Sequence, residues 1–248
     1  MFEEPETYDQ LITMFSPDGR LLQVEYAIET VNRSATVLGV TCAEGLIFGA
    51  EEPLSGTLQD PNFSWKIHEV DAHLGAAVVG LAADARVLID RARIYAQINR
   101  LTYDEPIDVR VLTNRIGDIE QLYTQHGGVR PFGVSIIFGG VDQTGGRLFA
   151  TDPSGSYRAH KAVALGCGRE VAETVLNEEY HEDLKLDEQI KLVIKCLAKA
   201  IEAQGKTLAV KIAVIPSETR RFRMLGAEEV TSYIAQATRA DKRKRRLK

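Results

Sequence analysis

The constraint that narrows the fold most is the order in which hydrophobic periodicities follow one another. Thr36–Val40 and Leu46–Ala50 are short β-like runs around the turn Cys42-Ala43-Glu44-Gly45, the pattern of a hairpin. Trp65–Val70 alternates and Leu74–Val79 is an apolar run, which predicts a second hairpin. The period then changes. Leu81, Ala85, Leu88, Ala92 and Tyr95 fall three or four apart, as on one face of a helix over about 81–100. Val109, Leu112, Ile116, Ile119 and Leu122 do the same over about 107–125, with Pro106 suited to a helix first turn and Gly127-Gly128 ending it. Strands return at Gly133–Val141, Arg147–Asp152 and Tyr157–Ala164. Helices follow over about 169–180 and 187–203, then a strand (Leu208–Ile215), a short strand (Phe222–Leu225) and a last helix over about 226–237.

Strand blocks alternating with pairs of amphipathic helices, with no linker between them, point to an α+β chain. The economical arrangement is a four-layer αββα sandwich of two antiparallel sheets between helix pairs. Periodicity alone does not require the two sheets to pack on each other. The predicted organisation is a flexible segment over 1–15, a single domain over 16–238 and a basic disordered tail over 239–248. Ser16-Pro17-Asp18-Gly19 is turn chemistry, and Leu21, Val24, Ala27 and Val31 make one stripe of a helix over about 20–32.

The chain has 248 residues, 44% of them hydrophobic, enough to bury a core without disulfide staples. No apolar stretch approaches the ~18 residues of a membrane span. The opening MFEEPETYDQ is acidic and lacks an apolar core, so no secretory signal is predicted. Three cysteines without a C-x-x-C pair argue against a disulfide framework or a zinc site and for a cytoplasmic protein. Net charge is −5, but residues 239–248, RADKRKRRLK, carry +6, leaving −11 (−5 less +6) on the rest. A like-charged block of this kind predicts a solvated tail, or contact with an acidic protein partner. Nothing else in the chain offers a basic groove with stacking aromatics, so a nucleic-acid partner is not expected.

Phosphate-loop, zinc-protease and nucleophile-elbow signatures are absent. Gly166-Cys167-Gly168 follows a strand and opens a helix, but it lacks the third glycine of a dinucleotide loop and reads as a tight turn. His68, His73, His126, His160 and His181 lack metal-ligand spacing. No cofactor or metal is expected.

Two long blocks carry a resemblance. Thr13-Met14-Phe15-Ser16-Pro17-Asp18-Gly19-Arg20-Leu21 with Gln23-Val24-Glu25-Tyr26-Ala27 closely resembles the N-terminal signature of proteasome α subunits, especially the archaeal kind. Tyr8-Asp9, Leu81-x-Ala83-Asp84-Ala85-Arg86 and Gly127-Gly128-Val129-Arg130-Pro131-Phe132-Gly133-Val134 fit the same family, and the likeness spans roughly residues 8–235. It implies the Ntn-hydrolase αββα sandwich and a non-catalytic role. In the related β subunits an N-terminal Thr, freed by cleavage after Gly, is nucleophile and its α-amine the base. Here the strand reads Arg33-Ser34-Ala35-Thr36-Val37, with Ala35 about where that Thr would stand and a helix in front. A catalytic β-type threonine hydrolase is therefore the rival reading, and a basic-tail nucleic-acid-associated protein the third.

The resemblance implies an outer ring of seven α subunits capping β subunits, gating entry of unfolded protein substrates and docking an AAA+ ATPase regulator. By the same carry-over, Tyr8, Asp9, Pro17 and Tyr26 form an inter-subunit gate cluster. Lys66 receives an activator's C-terminal carboxylate in a pocket lined by Gly80 and Leu81. His126, Gly127, Gly128 and Arg130 belong to the pore constriction. Two positions depart from the family: Gln10 stands where arginine is usual, and His126 where tyrosine is usual.

Overall fold

The structure, a computed structural model, describes residues 12–53, 56, 58–60, 63–143 and 145–246, and for 238–246 the backbone alone. Tyr8, Asp9 and Gln10 lie outside the described residues. Among the described residues the order is α1 (Leu22–Asn32), β1 (Val37–Cys42), β2 (Gly45–Glu51), β3 (Ile67–Asp71), β4 (Leu74–Gly80), α2 (Ala82–Tyr103) and α3 (Val109–Thr124). It continues with β5 (Val134–Asp142), β6 (Gly145–Thr151), β7 (Tyr157–Ala159), β8 (Ala162–Leu165), α4 (Arg169–Glu179), α5 (Leu186–Ala203), β9 (Val210–Pro216), β10 (Arg223–Met224) and α6 (Ala227–Arg246). No helix among the described residues is long and apolar enough to cross a membrane.

The strands form two five-stranded sheets, ordered β10-β9-β2-β1-β8 and β3-β4-β5-β6-β7, antiparallel throughout. Three buried clusters define the layers. One joins the first sheet to α4, α5 and α6, through Leu38, Ile47, Leu176, Val193, Leu197 and Val230. A second joins the other sheet to α2 and α3, through Val78, Leu88, Leu112, Ile116, Ile136 and Phe138. A third, with Leu46, Phe48, Val79, Ile137, Leu148 and Ile215, lies between the sheets. The sheet-on-sheet layer that periodicity left open is thus the middle of the core. It is close-packed: a Cβ on Gly39 would stand 2.7 Å from Ile137 Cγ2 and 2.8 Å from Leu148 Cδ1, nearer than side chains tolerate.

Local chemistry explains the boundaries. Asp108 caps α3 by accepting from the amides of Arg110 (2.8 Å) and Val111 (3.0 Å), which satisfies donors that the helix itself cannot. Pro106 therefore lies before the cap, not in the first turn. Arg100, in the last turn of α2, donates from Nη2 to both carboxylate oxygens of Asp71 at the end of β3 (3.0 and 2.9 Å) and ties the helix to its sheet.

Two further sequence expectations need correction. The strand expected over 157–164 is two strands in different sheets. His160 donates its amide to Leu148 (2.9 Å), while the carbonyl of the next residue, Lys161, accepts from Thr41 (2.8 Å). The chain crosses between sheets within two residues, and an apolar pattern does not record which neighbour a strand pairs with. The last helix, expected to end near 237, runs to Arg246. After Gly226 the sequence contains neither Gly nor Pro, and Lys, Arg and Ala are good helix formers. Like charge alone does not end a helix.

Candidate functional site

Lys66 leads into β3, and its carbonyl accepts from the Val78 amide of β4 (2.8 Å). Its side chain reaches the other sheet: Nζ donates to the carbonyl of Ala35 (2.5 Å), just ahead of β1. The side chain is fully buried. Its surroundings come from both sheets. Glu51 ends β2; it accepts from the Thr36 amide (3.0 Å) and from Lys206 Nζ (2.9 Å). Glu52 accepts from Ser64 Oγ (2.7 Å) and the Trp65 amide (3.1 Å), clamping the approach to β3 against the end of β2. The Trp65 ring lies 5.0 Å from the ammonium.

Burial is the dominant influence on this lysine. It pushes the ammonium down to about 8, against the pull of Glu51 and Glu52. Lys206 is the more exposed cation there, and its bond to Glu51 holds its pKa above the ordinary value. A single protomer therefore does not present Lys66 as an open positive charge. One of its three N–H donors goes to Ala35, and the two carboxylates already balance the two lysines.

The same corner answers the catalytic question. Ala35 has no hydroxyl, and α1 precedes it in the chain. The hydroxyl of Thr36 is buried and accepts from the Gly168 amide (3.0 Å). The Cys167 amide donates to Ser34 (2.8 Å). The Gly166-Cys167-Gly168 turn thus spends these amides on the neck of β1 and not on a phosphate. Cys42 and Cys196 are buried, whereas Cys167 is exposed, with Sγ donating to Gln204 Oε1 (3.3 Å).

Gly80 and Leu81 stand where β4 ends and α2 begins. Gly80 has φ +121°, and a Cβ on it would lie 2.1 Å from the Gly133 carbonyl, so no side chain fits. Leu81 donates its amide to that carbonyl (2.9 Å). One turn into α2, Asp84 accepts from the Gly133 amide (2.9 Å) and takes the Arg130 fork, Nη1 to Oδ2 at 2.7 Å and Nη2 to Oδ1 at 2.9 Å. Partial burial works to raise the Asp84 carboxyl, but the fork and the amide outweigh it and hold it below the ordinary value. The structure thus brings Gly80 and Leu81 together with Arg130. It leaves His126, Gly127 and Gly128 exposed on the loop after α3.

At the other end of the chain, the turn at 16–20 closes on itself. The Ser16 amide donates to the Arg20 carbonyl (2.9 Å), the Arg20 amide returns a bond to Ser16 Oγ (3.1 Å), and Gly19 donates to the Ser16 carbonyl (2.8 Å) at φ +77°. Pro17 is exposed there, and Tyr26 is 51% exposed on α1. Arg20 and Glu25 pair across the start of the helix. Sequence reasoning missed Glu51, Glu52, Lys206 and the pairing role of Asp84. The consecutive acids at the end of a wholly buried strand were the available signal for the first two.

Comparison with known proteins shows the family. The proteasome family model matches residues 31–215, and the N-terminal signature model for A-type members of that family matches residues 8–29. The chain is 49% identical over 223 residues to the proteasome alpha subunit of Methanopyrus kandleri, covering 90% of each chain. It is 45% identical to that of Methanosarcina acetivorans, over 92% of this chain and 93% of the relative. For that of Pyrococcus horikoshii the identity is 46%, over 92% and 86%. The chain belongs to the proteasome family, among its non-catalytic alpha subunits.

Proposed function

We propose that the chain forms the outer seven-membered ring of a proteasome core, gates substrate entry and docks an AAA+ ATPase regulator. The observation that carries this reading is the coincidence of the N-terminal alpha signature, residues 8–29, with a self-closed turn and a helix set before a hydroxyl-free Ala35. A chain built so has traded a nucleophile for a structured N-terminal extension.

Further support lies on the surface. Val87, Ile94, Ile98 and Leu101 fall on one face of α2 and are 40%, 49%, 47% and 86% exposed. So broad an apolar stripe on one chain is the mark of a face that an assembly covers. Neighbouring α subunits and β subunits are the partners this reading gives it. The exposed Met14, Phe15 and Tyr26 around the turn fit an inter-subunit cluster of Pro17 and Tyr26 with Tyr8 and Asp9. Gln10 removes the arginine usual there, and His126 places an imidazole at the entrance loop.

Docking at Lys66, Gly80 and Leu81 requires one adjustment. An incoming carboxylate must draw Lys66 Nζ from Ala35 or share it, and Lys206 adds a second cation at that corner. Native mass spectrometry of the purified chain, with a fluorogenic peptidase assay on the same sample, tests the proposal. Inactive seven-membered rings that gain activity only with β subunits are expected. A monomer unable to join β subunits, or peptidase activity of the chain alone, overturns it.

A further inference from the structure

The Asp84–Arg130 fork is not explained by stability alone. Exposed ion pairs contribute little, about 0–1 kcal/mol. Here, however, the carboxylate is mostly buried, receives a two-point fork and accepts a third bond from a backbone amide. Such geometry fixes direction as well as distance. What it joins is specific. On one side are Gly80 and Leu81, at the strand–helix junction. On the other is Arg130, which follows the exposed residues 126–128.

The two sides are mated at every level. Gly80 pairs with Val134 in the β4–β5 ladder. Leu81 donates to the Gly133 carbonyl, and the Gly133 amide returns a bond to Asp84. A Cβ on Gly133 would lie 2.9 Å from Leu81 Cδ1, so the leucine side chain rests against that backbone. Upstream the restraint stops. Nothing lies within 4 Å of a Cβ built on Gly127 or Gly128, and Gly128 has φ +84°. The Val129 amide makes only a long turn bond to His126 (3.4 Å). Arg130 is thus where the loop is first gripped after α3, and Asp84 holds the grip.

We propose that Asp84 and Arg130 are a positioning pair that carries displacement of Gly80 and Leu81 into the 126–129 loop, so that occupancy of the docking corner resets the entrance loop. The proposal rests on the docking and entrance roles of the proposed function. The element that moves is the block 80–84 with 130–134, held rigid by four hydrogen bonds. The element that responds is the glycine pair beside His126. Coupling of this kind needs a physical link with two ends and a loose segment beyond it.

The test uses the full chain in its native assembly and a short synthetic peptide with a free C-terminal carboxylate, its C-terminal amide serving as control. Hydrogen exchange is followed over 78–86 and 124–135 at saturating peptide for each variant. In the wild type the free-acid peptide is expected to change exchange in both segments. In Asp84→Asn, which keeps an acceptor for Gly133, the response at 126–129 should fall at least about fivefold while that at 80–86 remains. Arg130→Lys should recover part of it. Arg130→Gln, altered at the exposed end of the fork, serves if Asp84→Asn does not fold. A purely structural role would alter basal exchange in both segments and leave the peptide response intact, and that result overturns the proposal. Peptide binding to the wild type without any response at 126–129 also overturns it and leaves docking standing. Failure of the wild type to bind the peptide refutes the docking role, and the coupling falls with it.

Discussion

Lys66→Met separates a buried, committed ammonium from an open one. The folded chain holds Lys66 at about 8, against an ordinary lysine value of 10.5. That difference, 10.5 less 8, corresponds to roughly 3 kcal/mol at about 1.4 kcal/mol per unit. The sign follows from proton binding. Between the two values the unfolded chain holds a proton that the folded chain has released, so stability rises with pH across that window. Below it both states are charged, and the full burial penalty is present. Methionine keeps much of the apolar stem and cannot titrate. It also leaves the Ala35 carbonyl without this donor, a loss of about 1–3 kcal/mol for an uncompensated buried polar group. That loss is an offset that hardly changes with pH, because the neutral amine also donates, whereas the attraction of Glu51 and Glu52 for the ammonium belongs to the titration itself.

The informative quantity is therefore the difference between wild type and Lys66→Met at each pH, from urea unfolding followed by circular dichroism. It should move toward the wild type by roughly 3 kcal/mol between about pH 7 and about pH 10.5, and be flat below. A difference that stays flat across the whole range refutes the reasoning and means that Lys66 is solvated. The consequence for docking is direct. A carboxylate that reaches Lys66 restores its charged form, so binding near pH 8 should take up a fraction of a proton. Calorimetry in buffers of different ionisation enthalpy reads that uptake, and identical heats in all buffers would exclude it.

Three further outcomes are expected. Glu120 is fully buried in α3, accepting from Thr151 Oγ1 (3.1 Å) with Oε2 lacking a partner among the described residues. Burial raises its carboxyl well above the ordinary value, so wild-type stability falls as pH climbs above 4.5, through the interval in which only the folded state holds the proton. Glu120→Gln should remove that fall and gain about 1–3 kcal/mol at neutral pH; an equal gain at pH 4 and pH 8 in urea titrations would count against it. Gly80→Ala forces a side chain at φ +121° into the Gly133 carbonyl, and it should cost at least about 1–3 kcal/mol, seen as a lower Tm; an unchanged Tm would mean the junction is not rigid. Ala35→Thr should yield no peptidase activity, because α1 still precedes the new hydroxyl and supplies no free α-amine; turnover of a fluorogenic peptide by that variant would reverse the non-catalytic assignment.

The fold was legible because its information is local. The hairpins at 37–51 and 67–80 are each a pair of neighbouring runs around a short turn, and the stripes of α2 and α3 repeat within the helix that bears them. Failures came where the decisive partner is remote. Nothing in Tyr157–Ala164 says that Leu148 claims one residue and Thr41 the next. The middle layer exists because Gly39 and Gly139 let side chains of the opposite sheet approach, and a glycine in a strand is also compatible with a bulge.

The site follows the same rule more severely. Lys66 was singled out only by resemblance, since a strand-end lysine carries no local mark of burial. Its state depends on Ala35, Glu51, Glu52 and Lys206, and of these only the two glutamates are adjacent to each other in sequence. Asp84 stands inside the Leu81–Arg86 motif yet shows no role there, because its partners Arg130 and Gly133 lie far along the chain. A motif identifies residues that must be present. What each does is set by what the folded chain places against it, and for Lys66 that is the Ala35 carbonyl, with the charges of Glu51 and Glu52 opposing the effect of burial.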